Sequence, residues 1–485
     1  MAFQPPRLGP GAIYLRSLDA LFRSHSDLIR VAEIEPQGFW TKGSLRDSVP
    51  RGSRVELRHL SKLPQRILTH GVGSPIGGSI CDHERQAPEF RRWNEELRAP
   101  WTSEHLSILH VRGAHDDGPC GFLMPPLQTD AAVKLAAANI RRRSAALEKP
   151  FAFETGVNYF APREFEMPDG EFFRAVAEEA DCGILLDLTN LWVNDRNGRA
   201  KIGDVLARLP LERVWEVHVA GIEFAHGYWL DAHSNGVDAE LAAIAAEVIV
   251  ELPNLGAVIF EIAPDRTQRF GAKAFLMEME KVHGLWEKAR FRSAPKRAAQ
   301  APLADGAAPS PEAWERLIAD RMLPMTERPA KDATEMAVSA EDEGRFTLYA
   351  ELAASFRRGA VADLLENTTR LLLLGIGEEA LRDLMHGYIR ATQPAAFPSD
   401  EVLSFRGFLR EHPVDVPGLD DMLTFEAAVV EAAADGSVLR VDLEKDVDVM
   451  LAEIAAGRLP GSASDRPGTV LEIDVGPVPE IRMVH

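Results

Sequence analysis

Short apolar runs alternate with longer stretches of helical period from the start of the chain to about residue 292. Eight of these runs have the length and composition of β-strands, near residues 11–15, 29–35, 66–70, 105–110, 151–155, 183–188, 214–219 and 256–262. Apolar residues recur every three or four positions, as on one face of a helix, over residues 130–148, 169–181, 239–252 and 272–290. The alternation predicts an α/β fold, and eight such units favour a TIM-type (β/α)8 barrel over an open sheet.

The pattern changes after this barrel domain, which we place at residues 1–292. Residues 293–335 are rich in Ala and Pro and lack an apolar period, which is typical of a linker. Residues 336–485 predict a second, mainly helical domain. Its helical patterns cover residues 340–357, 360–373, 377–391, 401–411 and 418–433. Two β-like runs, SVLRVDL and GTVLEIDV, follow them and predict a small β element.

Polar side chains stand at or just after the ends of the later predicted strands. These residues are His70, Glu154, Asp187, His218 and Glu261, with Asp231 and His233 after the seventh strand. Because a TIM barrel carries its active site at the carboxyl ends of its strands, we expect these side chains to converge. A single histidine in an apolar strand is more often an ordinary core residue. Several buried carboxylates, in contrast, require a cation or dense hydrogen bonding.

The donor types narrow the choice of cation. Lys and Arg are scarce beside these carboxylates in the sequence. Imidazole and carboxylate ligands without thiolates suit iron, manganese or zinc, and the candidates outnumber the ligands that one ion needs. The sequence therefore predicts a centre that holds more than one metal ion.

Composition limits the partners of the chain. A formal net charge of −20 argues against binding to nucleic acid or to an anionic membrane surface. Three widely spaced cysteines predict no disulfide framework, and neither a signal peptide nor a stretch of about 18 apolar residues is present. We expect a cytoplasmic protein with soluble partners, and the sequence leaves its oligomeric state open.

Ordered motifs over residues 8–270 carry a resemblance to a known family. They are THGVG, TSEHLSI, MPPLQT, FETGVNYF, CGILLDLTNLWVN, RVWEVHVAG, WLDAH and VIFEIAPD. The chain resembles the multinuclear non-haem iron-dependent oxidative enzymes, whose best-known members modify cysteines of ribosomal peptides, as in methanobactin synthesis. The resemblance implies as metal ligands His70, Glu154, Asp187, His218, Asp231, His233 and Glu261.

The resemblance also implies roles for other residues. It places Asn190 beside the metals, and it implies catalysis at Asp187, His218 and Glu154. Glu104 and His105 either order the site behind the ligands or have a structural role.

The chain departs from the family pattern on the N-terminal side. A histidine of the family near the start is absent from LRSLDALF, which offers Asp19. A further His and a Glu-Asn pair are replaced by Glu35, Gln37 and Gly38, and Ile222 stands where the family has a histidine. The number of ions, two or three, therefore stays open. The candidates to replace the missing ligands are Asp19, His25 and Glu35.

The function that the resemblance implies is an iron- and dioxygen-dependent oxidation of a side chain in a ribosomally synthesised precursor peptide, with a mixed-valent Fe(II)/Fe(III) cluster. The segment FLREHPVDVPGLDDMLTFEAAVVEAA is similar to the partner proteins of the family, which implies a natural fusion whose second domain recruits the precursor. A domain that serves only for dimerisation or packing is the alternative. Two other functions stay open, a zinc or manganese barrel isomerase or phosphodiesterase, and a non-catalytic peptide-binding scaffold.

Overall fold

A closed parallel barrel of eight strands forms the N-terminal part of the chain. In this computed structural model the described residues are 3–41, 50–81, 83–115, 117–289, 308–328, 336, 338–435, 438–461, 465–474 and 480–484. The barrel strands are β1 (Gly9–Ile13), β2 (Val31–Ile34), β3 (Arg66–Gly71), β4 (Thr102–His105), β5 (Phe151–Glu154), β6 (Gly183–Asp187), β7 (Val214–Ala220) and β8 (Ala257–Glu261). Each strand pairs with its neighbours in sequence, and β8 pairs with β1 to close the barrel. The TIM-type fold predicted from the sequence is confirmed.

Helices cover the outside of the barrel between successive strands. The longer ones are Arg54–Leu60, His83–Leu97, Asp130–Leu147, Asp169–Ala180, Leu188–Arg196, Ile202–Arg208, Ala239–Ile249 and Ala272–Trp286. With helices outside and side chains inside, the strands are buried on both faces, so strands such as GILLD and AVIFE are apolar nearly throughout.

The interior of the barrel is divided into two layers. Side chains of alternate residues on a strand point to the same face, so the residue two before a site residue also points inward. At the amino end these positions and their neighbours hold an apolar cluster of Val31, Leu68, Trp101, Ala152, Trp215, Ala257 and Ile259. The polar residues at the strand ends lie above this apolar layer.

The position predicted for the fourth strand was wrong. The prediction placed it at 105–110, but the barrel strand is Thr102–His105. Residues Ile108–Arg112 instead pair antiparallel with Asp117–Met124, outside the barrel. The apolar run ILHVR carries the stronger β-pattern, whereas the barrel strand TSEH is polar because it delivers Glu104 and His105 to the mouth.

The C-terminal region is mainly helical and ends in a small sheet. Its helices are Pro311–Met322, Ala340–Leu364, Glu366–Ala391, Pro398–Glu411, Leu419–Asp435 and Val447–Ala455. The strands Val438–Lys445, Asp465–Asp474 and Glu480–Val484 form an antiparallel sheet in that order. The helix Glu366–Ala391 is interrupted at Gly377, whose φ of 80° is open to glycine at little cost.

The segment predicted as a linker, 293–335, contains the helix Pro311–Met322. Its Trp314 is buried in the same core as the barrel helices, and the Trp314 Nε1–H donates to the Pro125 carbonyl at 2.8 Å. Ala and Pro in the composition concealed this short amphipathic stretch. Residues 290–307 and 329–335 lie outside the described residues, and the domain boundaries at 292 and 336 remain predictions.

The C-terminal region packs against loops at the carboxyl ends of the barrel strands. Phe397 contacts Trp40, which follows β2, with ring centroids 6.2 Å apart. The Ser399 hydroxyl donates to the Trp40 carbonyl at 2.9 Å. This region therefore forms a wall on one side of the barrel mouth. Within the described residues, no helix is long and apolar enough to cross a membrane.

Candidate metal centre

Three overlapping groups of imidazoles and carboxylates occupy the barrel mouth. In each group the potential ligand atoms lie within 4.8 Å of one another. The groups are His70, His105 and Glu154; Glu154, Asp187 and His218; and Glu33, His218 and Glu261. Glu154 and His218 each belong to two of these groups, so the three groups form one continuous cluster.

Two imidazoles face the same oxygen of Glu154. The distances from Glu154 Oε2 are 3.1 Å to His70 Nε2 and 3.2 Å to His105 Nε2. Despite these distances, Glu154 Oε2 has no hydrogen-bond partner among the described residues. The two imidazole nitrogens and this oxygen therefore lie side by side, as potential ligands of one cation.

The rear nitrogens of the same two imidazoles are held from behind. His70 Nδ1 lies 2.8 Å from the Ser103 hydroxyl. His105 Nδ1 lies 3.1 Å from the Gly71 carbonyl, which can only accept a hydrogen bond. His105 Nδ1 therefore carries the proton in the neutral ring, and its Nε2 presents a lone pair to the cluster.

His218 lies between two carboxylates on opposite sides of its ring. Its Nδ1 is 3.2 Å from Glu261 Oε1, and its Nε2 is 2.9 Å from Glu33 Oε2. Glu33 belongs to the deeper layer of the barrel, where Glu216 accepts a hydrogen bond from Trp101 Nε1 at 3.0 Å. His218, Glu33 and Glu216 are all fully buried.

The two carboxylate oxygens of Asp187 have different surroundings. Its Oδ1 caps the helix Leu188–Arg196 by accepting from the Asn190 N–H at 2.8 Å. Its Oδ2 is buried and has no hydrogen-bond partner among the described residues. The cap fixes the carboxylate, and the second oxygen is left facing the cluster.

The open side of the cluster is formed by Asp231 and His233. His233 Nε2 lies 3.0 Å from Asp231 Oδ2 and 3.4 Å from Glu261 Oε2. Asp231 Oδ1 and Asn190 Oδ1 are both buried oxygens without a partner among the described residues. His233 has a φ of 46°, a left-handed conformation that is uncommon outside glycine.

The protonation preferences show an excess of negative charge. Burial by itself lowers the pKa of His70, but the carboxylates around it, Glu154 first, raise that pKa to about 10. Carboxylates likewise outweigh burial and raise the pKa of His105, His218 and His233. Burial, followed by the charges of Asp231 and Glu154, raises the pKa of Asp187 well above its ordinary value. The carboxylates thus favour a positive charge beside them, which protonated imidazoles or a bound cation can supply.

The structure brings together all seven residues predicted as ligands. Glu104 and His105 were predicted to share one role, but their side chains lie in different places. Glu104 lies behind the cluster and accepts from the backbone N–H groups of Ser74 and His105 at 3.2 and 3.1 Å. His105 instead points its Nε2 into the cluster beside Glu154.

Sequence reasoning missed Glu33 and Glu216. Glu33 stands two residues before Glu35, and Glu216 stands two residues before His218, so each shares the inward face of its strand with a residue that was considered. That period of two was the available signal.

The candidate replacements for the missing family ligands separate clearly. Asp19 pairs with Arg23 at 2.8 Å and with His59 at 2.7 Å, away from the cluster. His25 contacts the neighbouring Ser24 hydroxyl. Glu35 lies near the cluster: burial raises its pKa, and of the neighbouring charges His70 lowers it and Glu261 raises it.

The part of the chain that forms the barrel matches known proteins. The model of the RiPP precursor modification enzymes MbnB/TglH/ChrH, which act on ribosomally synthesised and post-translationally modified peptides, matches residues 32–282, more than half of the chain. A UPF0276 protein of Shewanella loihica is 30% identical over 280 residues, which are 56% of this chain and 92% of that protein. A UPF0276 protein of Anaeromyxobacter sp. is 30% identical over 228 residues, which are 47% of this chain and 79% of that protein.

Among solved structures, a D-psicose 3-epimerase covers 58% of this chain and 98% of its own, with 10% identity and a TM-score of 0.36. An L-ribulose 3-epimerase covers 59% of this chain and 95% of its own, with 14% identity and a TM-score of 0.36. The match of the family model and the relatives at 30% identity agree with the order of motifs along the barrel. The chain belongs to the MbnB/TglH/ChrH family of RiPP precursor modification enzymes.

Proposed function

We propose that the barrel mouth holds two or three iron ions and that the protein uses them, with dioxygen, to oxidise a side chain in a ribosomally synthesised precursor peptide. The observation that carries this proposal is that His70 Nε2 and His105 Nε2 lie 3.1 and 3.2 Å from the same buried oxygen, Glu154 Oε2. Ligand atoms arranged in this way suit a cation that lies between them. Family membership supplies the peptide class of the substrate.

The donors divide among the ions as follows. His70, His105 and Glu154 would hold a first ion, so we assign His105 as a ligand instead of an ordering residue. Glu154, Asp187, His218 and Glu261 would hold a second ion. Asp231, His233 and Asn190 are the remaining donors for a third. The fit rests on the donor chemistry and on the buried oxygens without partners, Glu154 Oε2, Asp187 Oδ2, Asp231 Oδ1 and Asn190 Oδ1.

Ferrous iron with open coordination positions supplies a place where dioxygen and a substrate thiolate or carboxylate can be held together. The contribution of the protein is to fix the ligands before the substrate arrives. The Gly71 carbonyl sets the tautomer of His105, and the Glu33 carboxylate lies 2.9 Å from His218 Nε2, on the side of the ring away from Glu261. The helix cap holds Asp187 in the same way. Such partners behind the ligands restrict ligand motion and tune the metal.

The C-terminal region is proposed to recruit the precursor peptide. It lies against the loops of the barrel mouth, so a peptide segment bound to it stays near the cluster and its effective concentration there is raised. A deletion of the region that lowers modification at low peptide concentration, and not at saturating concentration, would agree with recruitment. An equal loss at both concentrations would favour a packing role.

The central test is co-expression with the small peptides encoded beside the gene. We expect a mass change that requires iron and oxygen and that is lost in Glu154→Gln. Asp19→Asn is the matched control, because Asp19 is an ion-paired carboxylate outside the cluster and its replacement should leave the modification intact.

Three outcomes distinguish the hypotheses. A protein that is active while holding only zinc contradicts the oxidative proposal and favours the isomerase or phosphodiesterase. A protein that binds iron but alters none of the peptides contradicts peptide oxidation and favours the scaffold. If the Glu154→Gln variant retains both the metal and the peptide modification, the assignment of the metal centre is contradicted.

A further inference from the structure

The loop after β5 contacts the C-terminal region through several residues, among them Phe160 and Arg163. Its backbone is held there at Tyr159. This residue lies five positions beyond Glu154. Its backbone N–H donates to the Tyr349 hydroxyl at 3.2 Å, and its backbone carbonyl accepts from Arg345 Nε. Both partners lie on the helix Ala340–Leu364. Tyr159 lies outside the barrel strands, and side chains of this helix provide the hydrogen-bond partners of its backbone.

Both contacts are buried, as their surroundings show. Arg345 is 6% exposed and Tyr349 is fully buried. The Tyr159 ring packs edge-on against the Tyr349 ring, with centroids 5.3 Å apart, and Phe160 stacks on Tyr349 at 5.3 Å. A hydrogen bond from a charged donor is worth more in such surroundings than at the surface, so the attachment is rigid.

The other face of Tyr159 contacts the hairpin that carries Asp231. The Tyr159 ring lies edge-on to the Tyr228 ring, with centroids 6.2 Å apart. Tyr228 begins the strand Tyr228–Asp231, which ends at the site residue itself. Burial, followed by Tyr349 and then Asp231, raises the pKa of the Tyr159 hydroxyl well above its ordinary value, which agrees with close approach to Asp231.

Side contacts hold the hairpin in place, among them the Trp229 ring, which lies edge-on to the Trp192 ring with centroids 5.2 Å apart. Its strands, Ile222–Ala225 and Tyr228–Asp231, pair with each other, and Phe224 is 59% exposed. A lone two-stranded hairpin is marginally stable, so its position depends on side contacts. One contact is Asn197, which exchanges hydrogen bonds of 2.8 and 3.0 Å with the Trp229 backbone. Tyr159 provides another, nearer the start of the second strand.

We propose that the helix Ala340–Leu364 is a positioning element of the metal centre. Through Arg345 and Tyr349 it fixes Tyr159, and Tyr159 in turn sets the hairpin that delivers Asp231 and His233. The C-terminal region thereby acts on the geometry of the centre, in addition to any role in peptide recruitment. The inference rests on the proposed function for the presence of metal, whereas the mechanical linkage stands on the contacts alone.

The test compares two buried arginines of the same helix. Arg345→Met removes the contact to Tyr159. Arg357→Met is the matched control, because Arg357 is also buried but pairs with Glu401 at 2.8 Å and with the Thr392 carbonyl at 3.0 Å, inside the C-terminal region. Both substitutions remove a buried charge, and only the first touches the barrel.

Two measurements on the full-length protein test whether the helix Ala340–Leu364 positions the hairpin. Without metal, amide hydrogen exchange in residues 228–233 should accelerate by about tenfold in Arg345→Met, the equivalent of one lost charge-assisted hydrogen bond, and remain unchanged in Arg357→Met. In a Co(II) titration followed by absorbance, Arg345→Met should weaken Co(II) binding by about tenfold, in the range for residues that position ligands. Tyr349→Phe should give a smaller change in the same direction, and it serves as the test if Arg345→Met fails to fold.

Equal exchange rates in Arg345→Met and Arg357→Met, or no change in Tyr349→Phe where that variant serves as the test, would overturn the inference. These results leave the proposed function standing if the native protein still binds Co(II). A native protein that binds no Co(II) defeats the proposed metal centre, and the exchange comparison in the metal-free protein still decides the linkage.

Discussion

Two groups of buried carboxylates in this barrel are neutralised differently. Beyond the loop that follows β5, Arg199 lies between Glu166 and Asp169, with one N–O distance of 3.0 Å to each. All three side chains are buried. In the cluster, the ion-pairing partners of Glu154 and Glu261 among the described residues are histidines.

The difference indicates what each region is built to do. Arginine keeps its charge at every accessible pH and binds carboxylates in a fixed geometry, so Glu166 and Asp169 have a permanent cation within the protein. Histidine can give up its proton and offer a lone pair instead. A set of carboxylates beside histidines is therefore open to an added cation, whereas the Arg199 group is closed to one.

The largest effect is expected from a substitution in the Arg199 group. Arg199→Met should lower the free energy of unfolding by about 3–5 kcal/mol, because it leaves Asp169 buried without a counter-charge and Glu166 with only the more distant Arg163, at 3.8 Å. Urea unfolding at neutral pH measures this loss. Added Co(II) should not rescue the variant selectively, and selective rescue would mean that the two regions are not distinct.

Metal loading tests the open region. At a free Co(II) concentration of 100 times its dissociation constant, the native protein should gain about 2.7 kcal/mol in unfolding free energy, since the ion binds the folded state. A chelator should remove this gain. Glu154→Gln should not show it, and an equal gain in that variant would place the bound ion elsewhere.

A smaller effect is expected at the residue behind His218. Glu33→Gln should weaken Co(II) binding by about tenfold while the number of bound ions stays the same, because a positioning residue is changed and no ligand is lost. Glu426→Gln is the control, a buried carboxylate that accepts from the backbone N–H groups of Asn367 and Thr368 in the C-terminal region. The loss of one ion from the stoichiometry would instead make Glu33 a ligand.

The smallest effect concerns Asp19, a partly exposed carboxylate with arginine as a partner. Burial raises its pKa, but hydrogen bonds from Arg23, His59 and Tyr14 outweigh burial and lower it to about 2. A lowered pKa means that the pair stabilises the fold above the ordinary pKa of 3.8 and loses this contribution as the pH falls through about 2. Asp19→Asn should therefore cost about 1 kcal/mol or less at pH 7. The difference from the native protein should shrink in acid, which unfolding curves at several pH values would show.

The barrel could be predicted because parallel strands are buried on both faces and give continuous apolar runs. The strand Thr102–His105 escaped for the opposite reason, since its polar residues belong to the mouth and a stronger β-pattern follows it. The short helix Val447–Ala455 also went unpredicted.

The site residues that end an apolar run, such as Asp187 and Glu261, could be found from the sequence. Glu33 could not be singled out, because its importance comes from His218, a residue far along the chain. The direction in which His105 points likewise depends on the Gly71 carbonyl, a contact made only by the folded barrel. Order along a strand was predictable, and contacts between strands were not.

The apolar layer of Val31, Leu68, Trp101 and Ile259 gives the barrel a closed floor. The carboxyl end of the barrel is thus the side from which a substrate reaches the cluster, and the C-terminal region borders it. On the proposed function, the modified peptide leaves by the route through which the next one arrives. Product and substrate then compete for one passage, so accumulated product should slow turnover as a competitive inhibitor.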